Sequence, residues 1–241
     1  MRNSIAAVAV IATCGVASGC GQVHADVGKT VSRNYQVGNF QEIDAAGPYD
    51  INVQTGANPS VTARGPEKVL DDMDVAVEGD KLVIRSKNRG FLNFGWSSHG
   101  RTVFTVTVPT IRAATLTGSG DLNVNSVSGD SFAGTLAGSG DLTVGSVNVK
   151  SLKLSLAGSG DAKASGGQAQ TAEYSTVGSG DIDARGLTAQ QLKVSIAGSG
   201  DVNGHATGTA EVKIMGSGDV TVTGGAKCSF EKHGSGDLSC S

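Results

Sequence analysis

From Leu116 onward, apolar residues fall on every second position and keep one parity through segment after segment. Leu152, Leu154, Leu156 and Ala162 show it, then Leu192, Val194, Ile196 and Val202, then Val212, Ile214, Val220 and Val222. The intervening positions are mostly Ser, Thr, Lys, Asn and Asp. Period-two alternation marks a strand with one buried face. A GSGD tetrad interrupts each segment, starting at Gly118, Gly138, Gly158, Gly178, Gly198, Gly216 and Gly234. The spacings are 20, 20, 20, 20, 18 and 18. All are even, so each copy returns the same parity to the same face. The pattern predicts a repeat of strand, GSG interruption, second strand and polar loop, the loop being a stretch such as SGGQAQT from Ser165.

One such repeat cannot bury its apolar face alone, whereas stacked repeats share faces and backbone hydrogen bonds. The fold expected is all-β: a right-handed parallel β-helix, or β-solenoid, with rungs of about 20 residues. An antiparallel sandwich would need Asn-Gly or Asp-Gly chemistry at each reversal, and no such dipeptide repeats with the period.

The N-terminal half carries the same logic in diverged form. AAGPYDINV from Ala45 aligns with LTGSGDLNV from Leu116, matching Gly47 to Gly118, Asp50 to Asp121, Ile51 to Leu122 and Val53 to Val124. It reads as a degenerate eighth copy. PEKVLDDM from Pro66 is a short helical candidate, with Pro in the first turn where it is tolerated. DVAVEGDKLVIRS from Asp74 is a hairpin turning at Gly79-Asp80. TVFTVTVPTI from Thr102 alternates again. This irregular portion is expected to cap the solenoid. Between the hairpin and Thr102, the loop 88–100 concentrates Phe91, Phe94 and Trp96. Two readings stay open: an apolar contact patch for a protein or carbohydrate, or a plug folded over the solenoid's N-terminal end.

Composition narrows the function classes. The net charge is -3, and no basic stripe interleaves with aromatics, which argues against a nucleic-acid partner. Residues 1–25 read as an export signal: Arg2 is a short basic region, and Ile5 to Ala17 is an apolar core too short to span a bilayer. Cleavage before Cys20 in ASGC would lipidate that cysteine, whereas cleavage after Ala25 in VHA would release a soluble form. Residues 26–36 form a short linker, and 37–241 the solenoid domain, with 115–241 as its regular rungs. Export implies an oxidising compartment, so Cys228 and Cys240 are expected to pair.

VGNFQEIDAAGPYDINVQTG from Val37, DKLVIRS from Asp80 and the run of GSGD rungs together resemble the putative auto-transporter adhesin, head GIN domain family. The resemblance covers roughly Val37 to Cys240. It implies an exported bacterial right-handed β-helix. It supplies no catalytic or ligand residue.

The candidate chemistry is sparse. Asp121, Asp141, Asp161, Asp181, Asp201, Asp219 and Asp237 would stack in an outward column. Like charges at rung spacing repel by ~1 kcal/mol in water, so something must offset them. Each could accept a backbone N–H just after the bend, as in an Asx turn. Alternatively the column could hold calcium, although a calcium site needs six to eight oxygens. The glycines face inward, either to adopt positive φ or because a wall approaches too closely for a Cβ. His99, His205 and His233 share no ligand spacing. Asp181 and Asp183 share an outward parity, as an acid/base pair would. The reading favoured is a non-enzymatic, adhesin-like envelope domain without a cofactor. Its partner would be a surface glycan or envelope protein, and its membrane link a lipid on Cys20, at the outer membrane or cell surface. The alternative is a polysaccharide-binding or polysaccharide-degrading enzyme.

Overall fold

A computed structural model describes residues 29–87 and 100–241. The N-terminal half comprises β1 (Thr30–Tyr35), β2 (Glu42–Ala46), β3 (Asp50–Thr55), β4 (Ser60–Pro66), α1 (Glu67–Asp71), β5 (Met73–Glu78), β6 (Lys81–Ser86), β7 (Val103–Val108) and β8 (Ala113–Gly118). The repetitive half comprises β9 (Leu122–Gly138), β10 (Leu142–Gly158), β11 (Ala162–Ala164), β12 (Gly167–Gly178), β13 (Ile182–Gly198), β14 (Val202–Gly216), β15 (Val220–Thr223), β16 (Lys227–Gly234) and β17 (Leu238–Cys240).

In the repetitive half every pairing is parallel. Leu142 lies beside Leu122, Leu156 beside Leu136 and Gly158 beside Gly138, a constant offset of one rung. This is the parallel β-solenoid that the even spacing implies. The even-numbered apolar columns point inward: Leu122, Leu142, Ile182 and Val202 are fully buried, as are Leu136, Ile196 and Ile214.

A rung has three walls rather than two strands and a loop. After Val124 and Val144 the chain turns and its parity slips by one. Val127, Val147 and Leu187, at odd positions, are then buried on a second wall. The chain turns again before Phe132 and Leu152, restoring even parity on a third wall. Two slips of one residue cancel, which is why whole-rung spacings stay even. The stretch from Ser165 read as a polar loop contains this second wall: Gly167 to Ala169 pair with Leu187 to Ala189, and Ala169 is buried. The 18-residue rungs shorten here too. Ala184 pairs with Gly204, Thr188 with His205 and Gln191 with Thr209, so three residues are lost at one corner and one is regained at the next, and the first and third walls keep their columns.

The degenerate eighth copy is in register. Ala45 lies beside Leu116, Ile51 beside Leu122 and Val53 beside Val124, and the Gly47 N–H donates to Thr117 O at 2.8 Å. Beyond it β6 lies on β2 and β7 on β3, again parallel. Direction then reverses. β5 is antiparallel on β6, making the expected hairpin, with Gly79 at φ 67° in its turn. β4 is antiparallel on β7, and β1 on β4. The helix forms where expected, but Pro66 is its N-cap rather than part of its first turn. Its Leu70 is fully buried. Arg33 on β1 donates to Leu70 O at 2.7 Å and to Asp71 Oδ1 at 2.6 Å, tying β1 to the helix. Among the described residues the cap is made of antiparallel strands and α1. The aromatic loop with Phe91, Phe94 and Trp96, His99, and the signal region with Cys20 lie outside the described residues.

Candidate functional site: the GSGD corner and the outward ladders

At each corner the two glycines serve different constraints. The first takes positive φ in every copy, from 126° at Gly178 to 145° at Gly138, a region L side chains avoid. The second is buried without positive φ. A Cβ on Gly160 would overlap Gly140 O of the neighbouring rung. The crowding comes from the adjacent rung rather than from the wall across the core. Between the glycines, the Ser159 N–H donates to Gly138 O at 3.0 Å, so the bend keeps its hold on the rung before it.

The aspartates complete that hold. The Asp161 N–H donates to Asp141 Oδ1 at 3.0 Å and the Asp201 N–H to Asp181 Oδ1 at 2.7 Å. Asp141, Asp181, Asp219 and Asp237 repeat the bond onto Asp121, Asp161, Asp201 and Asp219. Asp50, in the degenerate copy, accepts the Asp121 N–H at 3.3 Å. The expectation of an Asx turn is corrected: the acceptor serves the next rung's N–H. In return the Leu142 N–H donates to Asp161 O at 2.8 Å. Asp237 belongs to the seventh tetrad. Lys232 meets its carboxylate, with Nζ 3.0 Å from Asp237 Oδ1 and 3.1 Å from Gly236 O.

The column thus spends one carboxylate oxygen per rung on the backbone. Among the described residues no group of three or more His, Cys, Asp or Glu is placed to hold a metal ion. Asp181 and Asp183 are likewise committed separately. Arg185 grips Asp183 with Nε and Nη2, each at 2.9 Å. That bond holds the Asp183 carboxyl below the usual carboxylate range, opposite to the raised value a general acid needs. His205 shares a 2.9 Å hydrogen bond with Thr223 Oγ1, and His233 lies 3.8 Å from Glu231.

The remaining outward positions form ladders. On the third wall, charges of opposite sign meet between rungs: Lys153–Glu173 at 2.9 Å, Lys193–Glu211 at 3.5 Å and Lys213–Glu231 at 3.3 Å. Exposed pairs each contribute about 0–1 kcal/mol, but a two-residue slip in one direction would set Lys193 against Lys213 and Glu211 against Glu231. The second wall carries a shallow trough of about 650 Å³ lined by Asn148, Gln168, Gln170 and Gln190, with the Asp130–Lys150 pair at 2.7 Å beside them. Lys150 holds the Asp130 carboxyl low. Sequence reasoning missed this wall and its amides, because the parity slip hid it.

Residues 39–226 match the family described as putative auto-transporter adhesin, head GIN domain. The chain belongs to this family. Among solved structures, the head GIN domain chain is similar to the putative adhesin of Bacteroides fragilis, with 26% identity over 88% of this chain and 97% of that one, and a TM-score of 0.77. It also shares its fold with the putative lipid binding protein of Parabacteroides distasonis, at 24% identity over 89% and 97% of the two chains and a TM-score of 0.71. No curated protein matches. No helix among the described residues is long and apolar enough to cross a membrane.

Proposed function

We propose that this head GIN domain is a non-enzymatic, adhesin-like module of the bacterial envelope that makes contact through its outward ladders. One observation carries the reading. The acidic side chains that could have done chemistry are used to join rungs or are gripped by a neighbouring cation, as Asp141 by the Asp161 N–H and Asp183 by Arg185. What is left for a partner is a row of neutral hydrogen-bonding groups on the second wall, such as Gln170 and Gln190, beside Gln168, which donates to Asn148 Oδ1 at 3.2 Å. Successive rungs place Gln170 and Gln190 about 4.7–4.9 Å apart, which suits an extended hydroxyl-rich polymer such as a surface glycan. Cys20 is the tether, lipidated after signal cleavage. Palmitate labelling of the wild type and Cys20→Ser, followed by protease accessibility on intact cells, tests the placement. Label lost in Cys20→Ser and a digestible wild type support it; equal labelling, or protection from protease, counts against it.

A further inference from the structure

The solenoid ends differ. At the C-terminal end β16 pairs with β14 on one side, and among the described residues nothing pairs its other edge. Its inward column continues Ala210 and Val212, which are buried, into Cys228 and Phe230. Phe230, on the last described rung, is 41% exposed. An edge of unpaired N–H and C=O groups above an apolar column is a template for another strand.

We propose that two copies of the chain join end to end through β16, antiparallel about a two-fold axis at Ser229. The alternation of the strand restricts the possible registers, because inward residues must oppose inward residues. Centred on Ser229, Lys227 opposes the partner's Glu231 twice, and Cys228 opposes the partner's Phe230 twice. Both charged residues lie on the outward parity and are exposed. Centred on Phe230, each Lys232 would instead face the partner's Cys228 across the apolar column. Centred on Glu231, the two glutamates would oppose each other. Lys232, already bonded to Gly236 O and Asp237 Oδ1, selects among registers: in the Ser229 register it meets only Ala226.

Head-to-tail growth is disfavoured by the same charges. The end strand of this wall at the other end is β5. Its Asp74 and Glu78 are held by Arg85 at 3.1 and 2.9 Å, as Glu231 is by Lys213 at 3.3 Å, so the sign of the opposed charges decides between the two contacts. Matching Lys227 to Glu78 there would set Glu231 against Asp74. The isologous contact closes at two copies, whereas a head-to-tail contact would build fibres.

Sedimentation of the purified protein tests this with Lys227→Glu, Glu231→Lys and the double exchange, each checked for an unchanged circular dichroism spectrum. The expected result is a wild-type dimer that weakens with salt, singles weakened about tenfold or more, which is about 1.4 kcal/mol, and recovery in the double exchange. Oxidised Ser229→Cys should yield a covalent dimer, since opposed residues in an antiparallel pair stand ~4.5–5.5 Å apart. A wild type that stays monomeric, species longer than dimers, or a double exchange that does not recover would each overturn the proposal.

Discussion

The Asp161 backbone N–H donates to the Asp141 carboxylate at 3.0 Å, across one full rung. The bond supplies an acceptor for an N–H at the foot of the GSG bend. It also explains why stacking the carboxylates is tolerated: Asp121 to Asp219 each carry part of the inter-rung bonding, and Asp237 is met by Lys232. Asp161→Ala, which leaves the Asp181 N–H without its acceptor, is expected to cost about 1–3 kcal/mol. Asp161→Asn keeps a side-chain carbonyl and should cost less. Urea denaturation of both variants measures the difference, and equal losses would contradict the role.

The second glycine of each tetrad is restricted by the rung behind it. Gly160→Ala places a Cβ against Gly140 O, and Gly160→Val adds two methyls to the same overlap. Backbone cannot move aside within a stacked sheet, so each is expected to lose about 1–3 kcal/mol or more. Gly166→Ala is the control. A Cβ there meets only Gly186 O, at 3.8 Å, and its φ is ordinary. Thermal melts should separate the two sites clearly.

The solenoid was legible in the sequence because register is carried by parity, and the even GSGD spacing preserved it. The degenerate copy was legible for the same reason: Ile51 and Val53 sit beside Leu122 and Val124 as the alignment required. The second wall was not, because two parity slips inside each rung cancel and leave no trace in the spacing. Its signal was the odd-numbered column Val127, Val147 and Leu187, all buried. The Asp column was legible as a column, but its bond was assigned to the wrong rung. An Asx turn and an inter-rung acceptor need the same residue at the same place, and only the backbone path decides between them.

Tyr174 is 1% exposed, and its hydroxyl has no hydrogen-bond partner. Burial alone pushes the phenol up from its ordinary pKa. A Cβ on the neighbouring Gly204 would crowd Leu192 Cδ2 at 2.9 Å but would meet Tyr174 Cε2 only in ordinary contact, at 3.6 Å. Removing an unsatisfied buried hydroxyl recovers a desolvation cost of about 1 kcal/mol or more. Tyr174→Phe is therefore expected to raise the midpoint of urea denaturation. A lowered midpoint would show that the hydroxyl has a partner.

Asp183 gives the pH dependence a sign. Arg185 lowers its folded pKa, chiefly through their side-chain hydrogen bonds. A depressed carboxyl contributes stability that is fully present above its unfolded value of about 3.9 and is lost as pH falls through the folded one. Melting of the wild type should thus be insensitive to this pair above about pH 5 and should fall in acid. Arg185→Gln should reduce the acid-dependent part. A variant whose melting curve parallels the wild type from pH 5 down to 2 would remove the pair from the account.

The last described rung is held by contacts of its own as well as by the rung before it. Cys228 and Cys240, 12 residues apart, are joined by a disulfide between the third and first walls. Lys232 donates to the Asp237 carboxylate, and the Gly225 N–H meets Ser241 O at 3.0 Å. Closing a loop of this size stabilises by about 3 kcal/mol in the chain-entropy model. Because each rung contacts only its neighbours, the loss on reduction should stay local. Hydrogen exchange after reduction should accelerate over β16 and β17 and leave β9 and β10 protected. Exchange that rises evenly along the chain would mean that the end rung and the interior unfold as one unit.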